Sequence, residues 1–198
     1  MVRKGDILYD PVRRATVTFL LTAADTAGML LQLDIIISPG GTLYHLPMHV
    51  HPKQQETVYI KSGKIWATID GLKRLYGPGE EIRIPAGVPH QLENASWQEE
   101  LNVRCEMVPA LATETLYETV LAFAQSEWQE GEEHVSLLQL AITLNKYANQ
   151  YYLAAYPVWA QKILFKLLAP VALLTGYEAE ADYKKTVSGK KSISLLYG

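Results

Sequence analysis

Two histidines two residues apart, His49 and His51, stand in a segment bounded by Gly41 and Gly63, and their spacing sets a demand on the backbone. Side chains alternate between the faces of an extended strand, so imidazoles at i and i+2 point the same way and can share one ion. Glu56 follows after four intervening residues, and Pro52 begins the turn that bends it back toward the pair. His90 comes later, behind the run Pro85-Ala86-Gly87-Val88-Pro89. Three imidazoles and one carboxylate make a mixed nitrogen and oxygen donor set, which suits first-row transition metals better than calcium or magnesium. On a six-coordinate ion such a set leaves two positions for substrate, water or oxygen.

Around these residues the chain reads as short strands. Residues 15–20 and 29–37 are rich in β-branched and aliphatic side chains and are bounded by turn formers at 22–28 and 38–41. Further strands are expected at 56–60, 64–69, 81–84, 90–93 and 100–108. A second hairpin, opened by Gly77-Pro78-Gly79 and running through Ile82 and Ile84, is expected to deliver His90 from another strand. About eight short strands between Gly and Pro turns describe a sandwich or barrel. Val58, Ile60, Ile65, Ala67, Ile82, Ile84 and Leu92 would give it an apolar inner wall suited to a small, chelating organic molecule.

The same residues carry a family resemblance. The order His49, His51, Glu56, Gly63 resembles the first cupin motif, with Gly41 lying farther upstream than that motif usually has it. Gly79, Pro85, Gly87, His90 and Asn94 match the second cupin motif position for position, and fifteen residues separate Gly63 from Gly79. The likeness is close from Gly41 to Asn94 and looser from the N-terminus to Pro109, and the C-terminal part resembles small cupins with a helical extension. It implies a mainly β fold, a double-stranded β-helix or jelly-roll barrel, followed by α-helices. It also implies that His49, His51, Glu56 and His90 hold one divalent ion (Fe, Mn, Ni, Zn, Co or Cu), that Glu56 can leave the metal and act as a catalytic base, and that the chain forms a homodimer.

After Pro109 the period changes, which divides the chain into a barrel, 1–109, and a helical extension, 110–198. Thr113 is placed to cap a helix over 113–126 with Leu116, Val120 and Ala124 on its apolar face. A second helix is expected over 135–148, with Leu138, Ala141, Ile142 and Asn145 on one face. Pro157 and Gly176 bracket a third, over 158–174. That third helix is mostly apolar, yet Gln161, Lys162, Lys166 and Pro170 interrupt it, which argues against a membrane span. Three readings stand for it: packing on the barrel, forming a dimer interface, or lying on a membrane surface with its lysines outward. The polar tail from Glu178 reads as a solvated end.

Composition narrows the function classes. A 198-residue chain buries roughly 70% of its unfolded surface, enough for one full core. A net charge of −3 without a basic patch gives no attraction to nucleic acid. The single cysteine, Cys105, makes no disulfide framework and reads as a small buried strand residue. No apolar run follows the first basic residues, so a cytoplasmic location is expected. Among other polar residues, His45 reads as a rim position because Pro47 interrupts its strand, and His134 as exposed. Gln54 and Tyr59 either orient a ligand or serve as ordinary hairpin residues, and Asn94 supports backbone geometry.

No phosphate-binding glycine loop and no Ser-His-Asp order are present. The expectation is therefore a metal-dependent, oxygenase-type enzyme acting on a small organic substrate. A non-catalytic ligand-binding or sensing barrel, and an isomerase or decarboxylase, stand beside it, because one donor set serves several reactions. A catalytic site should show an open coordination position and a channel. A binding module should show a closed site, with its strongest exposed apolar patch on the helices.

Overall fold

The computed structural model describes residues 1–41, 47–130, 136–148 and 150–186. In chain order the strands are β1 (Ile7–Asp10), β2 (Ala15–Leu21), β3 (Leu31–Ile37), β4 (His49–Val50), β5 (Gln55–Ser62), β6 (Ile65–Ile69), β7 (Leu72–Tyr76), β8 (Glu81–Ile84), β9 (His90–Asn94) and β10 (Leu101–Val108). The helices α1 (Thr113–Glu130) and α2 (Leu137–Lys146) follow, then β11 (Tyr152–Leu153) and α3 (Val158–Leu174).

Alternation of side chains builds the core. In β2, β3 and β10 every second residue is buried, so Val17, Phe19, Leu33, Ile35, Val103 and Cys105 all face inward. This is the pattern of antiparallel strands with one wetter face. The expected inner wall of Val58, Ile60, Ile65, Ala67, Ile82, Ile84 and Leu92 belongs to the same buried cluster. Two antiparallel sheets enclose it, one ordered β1-β2-β3-β10-β5-β8 and the other β11-β4-β9-β6-β7. From β3 to β10 the chain changes sheet at every connection except β6 to β7. That alternation is a jelly roll, and it brings residues from both sheets to one end of the barrel.

One consequence corrects the sequence expectation. β8 pairs with β5 and β9 with β4 and β6, so the run from Ile82 to His90 crosses between sheets and is no hairpin. The Gly77-Pro78-Gly79 turn likewise links strands of different sheets. At the β5–β6 corner Gly63 has φ +79°, and a Cβ there would lie 2.6 Å from the Glu100 carbonyl oxygen. Gly41, the glycine displaced from the usual motif position, packs so closely that a Cβ would meet the Arg13 carbonyl at 2.8 Å.

Three strands escape the sequence patterns: β7, β1 and the two-residue β11 between α2 and α3. β7 is exposed along nearly its whole length, so its Leu-Lys-Arg-Leu-Tyr run has no apolar alternation to detect. β1 is four residues long with only Leu8 and Asp10 buried.

The extension also differs in detail from its periodicity. α1 runs on to Glu130, and the face it turns inward includes Glu114, Glu118, Leu121 and Ala122, while Leu116 and Val120 are half-buried. The reason is polar. Glu114 accepts a hydrogen bond from the Ala23 amide at 2.7 Å, and Glu118 accepts one from the Val2 amide at 3.1 Å while pairing with the N-terminal ammonium at 3.2 Å. Satisfying those buried donors outweighs the Leu116–Val120 apolar spacing. Ser136 caps α2 by accepting from the Leu138 amide, and the helix ends at Lys146, inside the expected 135–148. α3 packs against α2, with Phe165 on Ala141 and Leu144, and Ala169 and Ala172 on Ile142. Its first turn is anchored by Gln161, whose amide bonds the Leu153 backbone and the Tyr156 carbonyl.

Candidate metal centre

Strand pairing brings the four expected donors together. His49 lies opposite His90 in the β4–β9 ladder. Glu56 lies near the start of β5, facing Ile84 on one side and Met107 on the other. His51 stands one residue beyond β4, so the histidine pair does not share a regular strand as expected, yet its ring centroid is 5.0 Å from that of His49. One ligand atom from each of His49, His51, Glu56 and His90 lies within 4.8 Å of the others. His49, Glu56 and His90 are buried and His51 is half-buried.

The backbone determines which nitrogen of each ring faces inward. His49 Nδ1 lies 2.9 Å from the Pro47 carbonyl oxygen, His90 Nδ1 2.9 Å from that of Val88, and His51 Nδ1 2.5 Å from that of Gln150. A carbonyl only accepts, so each Nδ1 carries the proton and each Nε2 is left with its lone pair. Two of those Nε2 atoms approach Glu56 Oε2, at 3.2 Å from His90 and 3.5 Å from His51. Neutral imidazoles in this tautomer would set lone pairs against a carboxylate. The arrangement is favourable only with a cation at the centre, either a proton or a metal ion.

Titration behaviour follows from the same geometry. Burial, reinforced by the neighbouring His90 and His51, pushes His49 down to about 3. Burial opposes the charge on Glu56, but when a proton occupies the centre the His51 and His90 rings become donors to it and hold its carboxyl well below the usual carboxylate range. Burial also pulls on His90, and the hydrogen bond and charge of Glu56 overcome it and raise His90 above an ordinary imidazole. Cys105 is buried with its Sγ 3.6 Å from Glu56 Oε1; burial first, and the Glu56 charge second, push its thiol well up, so it stays a neutral donor.

The segment between α2 and α3 supplies contacts that the sequence reading missed. Tyr151 stacks on His49 with centroids 4.7 Å apart and planes 22° from parallel. β11 pairs with β4, so Leu153 lies opposite His49. Gln150 holds His51 through its carbonyl, and its side-chain oxygen accepts from the Thr113 hydroxyl at 3.1 Å. Thr113, the first residue of α1, thus ties into this network. The sequence signal was a Gln-Tyr-Tyr run inside a helix connection, polar and aromatic where a linker is ordinarily small and polar.

Gln54 is no ordinary hairpin residue and reaches His51 only indirectly, through Thr113 and Gln150. It is buried, and its amide nitrogen lies 2.8 Å from the Pro109 carbonyl, 3.0 Å from that of Ala110 and 2.7 Å from the Thr113 hydroxyl, clasping β5 to the start of the extension. Tyr59 points toward Glu106, on neighbouring β10. Asn94 accepts from the Ser96 amide at 3.1 Å and so supports the turn after β9. His45 and His134 lie outside the described residues.

Residues 35–103, which include all four donors, match the cupin domain family model. The chain carries a cupin domain. Over 57 residues the chain is 37% identical to quercetin 2,3-dioxygenase of Bacillus subtilis strain 168, covering 29% of this chain and 17% of that enzyme. The chain therefore spans less than a fifth of that relative's length. Similar solved structures include an RmlC-like cupin from Shewanella frigidimarina (17% identity, TM-score 0.45, covering 56% of this chain and 88% of that one). A predicted oxalate decarboxylase from Thermotoga maritima is similar at 17% identity and TM-score 0.45, covering 55% and 99%.

Proposed function

We propose that His49, His51, Glu56 and His90 hold one divalent transition-metal ion, and that the protein is a mononuclear oxygenase-type enzyme acting on a small organic molecule with a chelating, acidic oxygen. The observation that carries the metal reading is the set of three Nδ1 contacts to backbone carbonyls, which aims three imidazole lone pairs at one carboxylate. Nitrogen-rich sets of this kind fit Fe, Mn, Co, Ni, Cu or Zn. When bound, the ion would supply Lewis acidity toward a substrate oxygen and, for every member of that set but redox-inert Zn, a centre for electron transfer to dioxygen.

The protein's own groups do the rest. Glu56 stays anionic beside the cationic centre, which leaves its Oε2 able to accept the proton of an enol or phenol entering beside it. Cys105 donates toward Oε1 from the barrel interior and holds the carboxylate in place. Tyr151 covers His49 and excludes water from that side. The 37% identity with a quercetin dioxygenase over 57 residues supports this substrate chemistry.

Elemental analysis of protein purified without an affinity metal, followed by oxygen uptake with a panel of small enols and catechols that includes quercetin, tests the proposal. One transition-metal ion per chain and substrate-dependent uptake are expected; absence of the ion after reconstitution would reject it. A second reading, a metal-bound barrel that binds a ligand without turning it over, is favoured by the burial of three of the four donors and by Tyr151 closing over His49. Stoichiometric metal with no turnover across the panel would select that reading.

The network behind His51 carries its own prediction. Gln54, Thr113 and Gln150 form a hydrogen-bonded chain that ends on His51 Nδ1. Thr113→Val removes the central hydroxyl and leaves the buried Gln150 side-chain oxygen without that donor, at a cost of about 1–3 kcal/mol. Metal affinity should fall roughly tenfold or more as His51 loses its support. Chelator competition run beside a urea titration separates the two effects, and Thr113→Ser should restore both.

A further inference from the structure

α3 displays a face that nothing among the described residues covers. Trp159, Ile163, Leu167, Val171 and Leu174 recur at three- and four-residue spacing along it and are between 46% and 88% exposed, while Gln161, Phe165, Ala169 and Ala172 are buried on the opposite side. Leaving a ridge of this length to water is costly for a helix that already buries its other face. The charges beside the ridge have one sign. Lys162 and Lys166 flank it, no Asp or Glu occurs in Val158–Leu174, and neither lysine has a carboxylate partner among the described residues.

A cavity of about 780 Å³ adjoins the start of this helix. Lys53 and Lys162 both line it, against apolar walls that include Tyr152, Tyr156, Pro157 and Val158. Lys162 lies 5.7 Å from the Tyr152 ring centroid, and Lys53, like Lys162, has no carboxylate partner among the described residues. An apolar ridge with lysines along its edge and a cationic recess at its end is complementary to acyl chains beneath anionic headgroups. A second copy fits less well, since a two-fold interface would set this acid-free face against itself and give the lysines no counter-charge. No helix among the described residues is long and apolar enough to cross a bilayer, so the helix would lie in the surface.

We infer that α3 docks the protein onto a lipid surface bearing anionic headgroups, with Trp159, Ile163, Leu167, Val171 and Leu174 buried among the acyl chains and Lys53, Lys162 and Lys166 paired with headgroup phosphates. This surface stands independently of the metal centre. It places the barrel end that carries the β4–β5 turn beside the bilayer.

The test is cosedimentation of the full chain with vesicles of phosphatidylcholine alone or of equal parts phosphatidylcholine and phosphatidylglycerol. Binding to the mixed vesicles should be at least about tenfold tighter and should weaken as salt rises toward about 1 M. Leu167→Asp alters an exposed position, so the fold and melting temperature should hold while vesicle binding drops about tenfold or more. Lys162→Ala with Lys166→Ala should cut the preference for phosphatidylglycerol by about fivefold per lysine, leaving only the share that Lys53 supplies. Trp159→Phe should remove most of the fluorescence shift seen on adding vesicles. Wild-type protein that ignores both vesicles, or Leu167→Asp protein that binds as wild type, would overturn the inference. So would a soluble dimer that Leu167→Asp dissociates without any vesicle binding, which would assign the ridge to a second copy.

Discussion

Replacing His49 and His51 together with alanine is expected to abolish transition-metal retention while leaving the barrel folded. The core that holds the sheets together is aliphatic, from Val17 and Phe19 through Ile35, Ile65 and Ile82 to Val103, and neither histidine contributes to it. Without an ion, His49 is a liability: it is buried, pressed against two other imidazoles, and driven to stay neutral. Truncating it opens a small cavity under Tyr151 but relieves the convergence of lone pairs on Glu56, and these effects offset one another. The metal-free variant should therefore melt within a few degrees of metal-free wild type. Addition of the ion should separate them. An ion at about a hundred times its dissociation constant stabilises the protein that binds it by roughly 2.7 kcal/mol, which for a chain of this size raises the melting temperature by about 5–10 °C. Wild type should show that rise and the double variant none. Equal metal content in the two proteins, or equal shifts, would place the ion elsewhere.

What could be read from the chain beforehand divides along physical lines. β2, β3 and β10 were legible because one face of each is buried, which forces strict alternation on the sequence. The four donors were legible because their backbone positions are tied to short, glycine- and proline-bounded segments, and the structure brings all four together. α3 was bracketed at both ends by Pro157 and Gly176, and its observed limits match the expected ones. β7 was not legible, since an edge strand in water carries no burial pattern. Nor was the inward face of α1, where Glu114 and Glu118 turn toward the barrel to satisfy amides of Ala23 and Val2, partners 91 and 116 residues away. The same holds for Gln150 and Tyr151, whose importance lies in contacts with His51 and His49 about a hundred positions earlier. Long-range polar pairing leaves no period in a sequence, and residues that support a site rather than form it have no fixed spacing from it.

Acid should destabilise the ion-free protein well before its carboxylates titrate, and His49 should be the main cause. Its folded value of about 3 lies far below the 6.5 of an unperturbed imidazole, so between those values the unfolded chain binds a proton that the folded chain refuses. The stability that His49 contributes is thus complete above about pH 6.5 and is lost as pH falls from there toward 3, on the order of 5 kcal/mol in all. His90 runs the other way. Its raised value stabilises the fold below about pH 6.5, and this contribution disappears as pH rises through the folded value. Glu56, held low, contributes above its unfolded value near 4.5 and withdraws only in stronger acid. Between about pH 6.5 and 4.5 the loss at His49 therefore stands almost alone, and it is a large share of a typical folding stability of roughly 5–15 kcal/mol. Urea titrations of ion-free protein from about pH 7 to about pH 4.5 should show the midpoint falling steadily, and the slope should flatten in His49→Ala protein. Metal binding should share the sign. Below the raised value of His90, each ion that binds must displace the proton held between His90 and Glu56, so affinity should climb about tenfold per pH unit there and level off above it. Wild-type and His49→Ala proteins with the same acid slope, or metal affinity indifferent to pH down to about 5, would contradict the neutral, inward-facing imidazoles on which the site is built.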